Sequence, residues 1–166
     1  MSVLVVIRGN SSSGKSTTAL AVQGRFARGA CLLVPQDVVR RQLLREPDVA
    51  GMANIELLEQ IAGFGLARDL VVIVEGILNV DRYGATLERL TAAADHALHY
   101  SFDLTFEETV ARHLDGTRRT EFTPEQMAGW YHGWQPLPFA AETRIDASWS
   151  AEAVVERIHR DILALR

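Results

Sequence analysis

Gly9-Asn10-Ser11-Ser12-Ser13-Gly14-Lys15-Ser16-Thr17 follows the apolar run Ser2-Val3-Leu4-Val5-Val6-Ile7 and leads into Ser16 to Phe26, which carries Leu20, Val22 and Phe26 among good helix formers before Gly29. The nine residues satisfy G-x-x-x-x-G-K-[ST] at every fixed position, the pattern of a nucleoside-triphosphate phosphate loop. A chance match in a chain of this length is roughly one in two hundred. Context sharpens it, because the motif needs a buried strand before it and a helix after it, and both are written here. In such a loop the backbone N–H groups of residues 10 to 16 wrap a β-phosphate at a helix N-terminus. Lys15 then bridges the β- and γ-phosphates, and the Ser16 hydroxyl ligates Mg²⁺. The competing reading is a Gly/Ser-rich turn that binds nothing.

Lys15 is the one lysine of the chain, beside sixteen arginines. The two cations are not interchangeable at a phosphate: guanidinium is a wide planar fork, whereas ammonium is a compact point charge that fits between two phosphates. The sole lysine stands where that compactness matters.

At 166 residues the chain is expected to form a single domain, residues 1–166, large enough to bury its own core without staples. A net charge of −4 gives no general basic footprint, so nucleic acid is not a favoured partner, though a local basic groove stays open. One cysteine, Cys31, excludes an internal disulfide and reads as core. The sequence has neither a signal-peptide start nor an apolar run long enough for a membrane span, which leaves a cytoplasmic expectation and no membrane partner.

Strand and helix patterns alternate along the chain. Strands are expected at 2–7, 30–34, 70–74, 97–102 and 142–145. Helices are expected at 16–26, 37–45, 54–68, 81–94, 105–114, 124–134 and 151–165, with Thr105 and Glu108 as a capping box and Gly63 and Gly65 weakening the end of the third. Alternation of this kind implies a parallel sheet covered on both faces, an α/β fold, with its site beyond the strand C-termini. Residues 9–17, 35–41 and 75–79 should meet there.

The second strand is followed by Pro35-Gln36-Asp37, then Arg40 and Arg41 at spacings of three and four. An acid at that place can accept the proton of a hydroxyl attacking the γ-phosphate, and an arginine one turn on can hold an anionic group or the transferring phosphoryl. The plainer reading makes Asp37 a helix cap and the arginines a solvated face. The third strand ends in Glu75-Gly76. A strand-end carboxylate suits a Mg²⁺ site or a substrate contact, and Gly76 permits close backbone approach. Arg112, Arg118 and Arg119 lie on the late helix and in the polar segment after it, with Gly116 as a possible hinge; they form a candidate lid over residues 112–136. The five histidines show no metal-ligand spacing and read as structural or solvated. Trp130, Tyr131 and Trp134 read as aromatics packing a helix on the core.

With these residues in hand, the chain resembles the small phosphate-loop kinases of the adenylate-kinase-like group, and within it the branch that holds chloramphenicol phosphotransferase, the zeta toxins and the phage-type polynucleotide 5′-kinase domain. The matching features are the loop from Gly9 to Ser16, the acid Asp37 and the late arginines. The resemblance implies a three-layer α/β/α phosphate-loop fold with a five-stranded parallel sheet of order 2-3-1-4-5 and a lid between the fourth and fifth strands. It also implies Asp37 as catalytic base and Arg40 as the arginine that holds substrate phosphate in the polynucleotide kinases. The third strand carries one carboxylate, Glu75, where such folds carry an Asp-rich magnesium motif.

The leading reading is a kinase that moves the γ-phosphate of ATP, with Mg²⁺, to a hydroxyl of a small-molecule acceptor. In it Lys15, Asp37 and Arg40 are catalytic, Ser16 and Glu75 hold the metal, and Arg41, Gly76 and the lid arginines face substrate. A nucleoside monophosphate kinase, a polynucleotide 5′-hydroxyl kinase and a non-catalytic nucleotide-binding regulator are the alternatives. The sequence does not separate ATP from GTP, and the segment 144–149 that would contact the base (Arg144, Asp146, Trp149) holds no diagnostic motif. It leaves the acceptor and the oligomeric state open.

Overall fold

The computed structural model describes residues 1–116 and 120–166. Its elements run β1 (Val3–Gly9), α1 (Lys15–Gln23), β2 (Cys31–Pro35), a π-helical segment (Val38–Leu44), α2 (Ala53–Leu66), β3 (Val71–Gly76), α3 (Val80–Ala93), β4 (His96–Phe102), α4 (Phe106–Asp115), α5 (Pro124–Trp130), β5 (Thr143–Ile145) and α6 (Ala151–Leu163). The strands form one parallel sheet in the order β2-β3-β1-β4-β5, as the resemblance implies.

The strands alternate between two cores. Val3, Val5 and Ile7 of β1 and Val71 and Ile73 of β3 pack with α1 and α6 on one face. Leu4, Val6, Val72 and Val74 pack with α2 and α3 on the other. Burial on both faces explains why these strands read as continuous apolar runs. Each fully buried Val, Leu or Ile contributes about 1.5–3 kcal/mol relative to exposure. Gly65, one residue from the end of α2, is also part of this packing: a Cβ there would stand 2.7 Å from both Leu32 Cδ2 and Val72 Cγ2. Its hydrogen atom is what lets α2 lie close against the sheet.

Three helices differ from expectation, the first being α1, expected to reach residue 26, which ends at Gln23. The segment 37–45 is π-helical over Val38–Leu44 and ends where Arg45 turns left-handed, φ 55°, with the Glu46 N–H bonded back to the Arg40 carbonyl. The helix expected to reach Trp134 stops at Trp130, because Tyr131 turns extended and Gly133 takes φ 67°. Pro136, close behind, disfavours helical geometry at residue 135. The Thr105–Glu108 capping box forms as expected. The third helix of the fold, α3, is capped by Asn79, whose side chain accepts the Asp81 N–H.

The register sets the site. Pro35 and Ile7 both lie beside Glu75, and Arg8 lies beside Gly76. Three strands therefore end at one level, and the loops that leave them share a crevice. Among the described residues, no helix is long and apolar enough to cross a membrane.

Candidate active site

The phosphate loop leaves β1 at Gly9, which takes φ 151°; a Cβ there would come within 2.8 Å of Phe102 Cβ. Ser12 (φ 58°) and Gly14 (φ 100°) are both left-handed, and Gly14 is the cap of α1. A glycine cap offers no side-chain oxygen, and the first turn of α1 carries no acid. The amides and the positive end of the helix thus meet no side chain of their own that would compete with an anion. Lys15 curls over the loop, donating to Asn10 O at 2.7 Å and Ser13 Oγ at 3.3 Å. Ser16 Oγ donates to Glu75 Oε1 at 3.0 Å.

These groups open on a cleft of about 820 Å³. Asp37, Arg40, Arg41, Glu75, Gly76 and Arg112 line it with the loop residues Ser11, Ser12, Gly14, Lys15, Ser16 and Thr17. Gly9, Asn10 and Ser13 shape the loop behind this wall.

Asp37 lies at the start of the π-helical segment, but its side chain makes no capping hydrogen bond. Its half-exposed carboxylate is met instead by Arg40 Nη2 at 3.1 Å and Arg41 Nη1 at 3.8 Å. Arg40 also donates from Nη1 to the Glu46 carbonyl at 3.2 Å. The helix-cap reading of Asp37 thus lacks its defining bond. Gly76 brings β3 against Gln36, where a Cβ would stand 2.8 Å from Gln36 Cβ. Gln36 donates to Tyr83 Oη at 2.7 Å, and Tyr83 Oη lies 2.9 Å from Asn54 Oδ1. Burial, with the Asp48 carboxylate adding to it, pushes the Tyr83 phenol up, so it stays protonated and able to donate. Arg82 pairs with Asp48 at 3.3 Å, and both line the cleft.

The opposite wall comes from α4 and α5. Arg112 Nη1 donates to Ser13 O at 2.8 Å. His113 is buried under the loop; its Nε2 lies 2.8 Å from the Phe122 carbonyl, which cannot donate, so Nε2 carries the proton. In a neutral ring Nδ1 then accepts from Ser12 Oγ at 3.4 Å. Phe122 stacks on the His113 ring at 4.3 Å. Gly116 ends α4 in an extended conformation and lines the cleft. Arg118 and Arg119 lie outside the described residues.

The aromatic expectation is corrected here. Trp130 is 46% exposed and lines the cleft, Tyr131 donates to the Leu104 carbonyl, and Trp134 lies under the Arg144 guanidinium. Met127, not the aromatics, anchors α5 in the interior. Sequence reading also missed Arg8, Glu142, His113, His132, Arg82 and Asp48. Arg8 carried a signal, a charge at the end of an otherwise apolar buried strand.

Mg²⁺ fits the donor set on chemical grounds. Ser16 and Glu75 supply hard oxygen atoms 3.0 Å apart at the loop. No cluster of three or more His, Cys, Asp or Glu with metal-binding geometry occurs among the described residues. Mg²⁺ usually takes one or two protein oxygens and completes its shell from phosphate and water, so this sparse set suits it.

No family model matches the sequence, and no curated protein does. Solved structures do. A proposed kinase from Chloroflexus aurantiacus superimposes with a TM-score of 0.72 at 19% identity, covering 98% of this chain and 96% of its own. The Mycobacterium tuberculosis APS kinase CysC, in complex with AMPPNP and APS, gives 0.69 at 20% identity, covering 97% and 96%. A gluconokinase from Sinorhizobium meliloti gives 0.64 at 15% identity, covering 97% and 95%. At such identities the likeness establishes the fold: this chain has the α/β architecture of the phosphate-loop kinases, the group its sequence resembles.

Proposed function

We propose that the chain is an ATP-dependent phosphotransferase whose acceptor is an alcohol hydroxyl of a small molecule. The observation that carries this reading is that the Asp37 carboxylate, unused as a cap, lines the same cleft as Lys15 and the Ser16–Glu75 pair. Neighbours of the same fold include proteins named as kinases, which supports the reading.

The loop amides and Lys15 hold the β- and γ-phosphates of ATP. Ser16, with Glu75 behind it, would hold Mg²⁺, which would supply neutralisation of the phosphate charge. Asp37 accepts the proton of the acceptor hydroxyl as its oxygen bonds to the γ-phosphorus. The bond from that phosphorus to the β-bridging oxygen breaks, and ADP leaves with the electron pair. Arg40 orients the Asp37 carboxylate by a charge-assisted hydrogen bond, and Arg41 adds a positive charge 3.8 Å from it. Arg112, beside Ser13 and Gly14, is the described lid arginine placed to meet charge on the phosphates.

The test is ADP release from Mg-ATP across nucleosides, nucleoside monophosphates, 5′-hydroxyl oligonucleotides, sugars, cyclitols and hydroxylated antibiotics. Stimulation by one hydroxyl class supports the reading and names the class. Turnover that no acceptor stimulates contradicts it and leaves a nucleotide-binding regulator.

A further inference from the structure

Among the described residues of the phosphate loop, Ser12 alone takes a left-handed backbone without being glycine, with φ 58°. Gly14, at φ 100°, adopts such a conformation without strain. A serine does so only where its surroundings hold it there. The conformation matters, because left-handed residues along a loop turn its N–H groups to one side and make it concave to an anion.

The hold on Ser12 comes from the end of α4. His113 is 2% exposed, and its Nδ1 lies 3.4 Å from Ser12 Oγ. The imidazole is fixed on two further sides. Its Nε2 lies 2.8 Å from the Phe122 carbonyl, and the Phe122 ring stacks on it at 4.3 Å with 14° between the planes. With the proton on Nε2, Nδ1 of the neutral ring is left as the acceptor and the Ser12 hydroxyl as the donor.

The neighbouring residue acts on the neighbouring loop position: Arg112 Nη1 donates to the Ser13 carbonyl at 2.8 Å. Two consecutive helix residues thus engage two consecutive loop residues about a hundred positions earlier. The other end of α4 is fixed by the Thr105–Glu108 capping box, so the helix is a firm base for both contacts.

We propose that His113 is a positioning residue for the nucleoside triphosphate: through Ser12 it holds the phosphate loop in its anion-binding shape. This rests on the phosphotransferase reading above in that the loop must bind such a nucleotide.

The experiment titrates Mg-AMPPNP into the full chain by calorimetry, with urea unfolding of every variant. Glutamine reaches where Nε2 lies, so His113→Gln keeps a donor for Phe122 and leaves Ser12 without its acceptor. Asparagine sets its oxygen near Nδ1, so His113→Asn keeps Ser12 and loses Phe122. His113→Gln should raise the Kd about 3–10-fold, and His113→Asn should raise it less although its urea midpoint also falls. In a Ser12→Gly background, where the left-handed turn needs no support, His113→Gln should move the Kd by no more than about twofold. Ser12→Ala removes the donor and leaves the buried ring intact, and it should raise the Kd about 3–10-fold as well.

A Kd unmoved in His113→Gln or in Ser12→Ala overturns the role. So does a loss equally large in the Ser12→Gly background, or a Kd that merely follows the urea midpoint across the variants. Each of these leaves the phosphotransferase standing. AMPPNP binding that depends on His113 in this way, with no acceptor stimulating turnover, supports the role and removes the phosphotransferase. A wild type that does not bind AMPPNP removes both.

Discussion

Arg8 Nη1 and Glu142 Oε1 meet at 2.8 Å, and the two side chains are 2% and 1% exposed. The pair joins positions 134 residues apart, the end of β1 and the approach to β5. Arg8 also donates to the carbonyls of Leu78 (3.2 Å) and Gln135 (3.0 Å), and Glu142 accepts the Leu137 N–H at 2.8 Å. One ion pair thus fixes the loop after β3 and the segment carrying His132 relative to the phosphate loop. Charges this deep are costly unless matched. Glu142→Ala should destabilise the fold by about 3–5 kcal/mol, and replacing both partners by apolar residues should recover much of that. Urea unfolding reads both. A loss for the single variant below about 1 kcal/mol, the range of a surface pair, would contradict this account.

Glu75 faces Ser16, the residue assigned to Mg²⁺. Glu75→Gln keeps the shape and removes the charge. It should raise the Mg²⁺ concentration needed for half-maximal turnover about 10–100-fold, as loss of a partner behind a metal ligand does. A magnesium titration at saturating ATP decides it; an unchanged midpoint removes Glu75 from the metal site.

Gly65 has no room for a side chain between Leu32 and Val72. Gly65→Val should cost about 1–3 kcal/mol by overpacking, despite the better helix propensity of valine. Because Gly65 lies outside the cleft, turnover per folded molecule should not change. Equilibrium unfolding together with active-site-normalised rates would expose either failure.

Two histidines, the buried His99 and the partly buried His132, make the fold sensitive to mild acid. Burial pushes His99 below its ordinary 6.5, with the Glu142 carboxylate opposing and Arg8 adding to the fall. His132 is lowered by burial and by Arg8. A depressed histidine stays neutral in the folded chain while the unfolded chain already binds a proton. Stability is therefore full above about pH 6.5 and lost as pH falls from there through the folded pKa values. The urea midpoint should drop between about pH 7.5 and about pH 5.5, and His99→Gln should flatten part of that drop. A wild-type midpoint level across this window would contradict the assignment.

The sheet and the loop were legible because their signals are local. A β-branched run, two glycines and a lysine at fixed spacing decide strand, turn and helix within twenty residues, and the Thr105–Glu108 cap is written in four. The juxtaposition of Ser16 with Glu75 followed from parallel strands ending at one level. The far wall was not legible. Whether Trp130 faces core or cleft depends on where α5 ends, and that is set by Tyr131 reaching Leu104 and by a left-handed Gly133. His132 becomes conspicuous only through its backbone contact with Asn10, 122 residues away. The π-helical turn at 38–44 leaves the same apolar and charged pattern as an α-turn, so periodicity cannot separate them.

The central claim is that Asp37 takes a proton from the acceptor hydroxyl. The direct measurement is kcat for the best hydroxyl acceptor in wild type and Asp37→Asn, with ATP affinity followed in both. Asparagine preserves size and cannot act as base. A general-base role predicts a loss of about 10²-fold or more in kcat with ATP affinity retained. A rate within a few-fold of wild type would contradict it, and would fit an acceptor that arrives already ionised, as in a nucleoside monophosphate kinase.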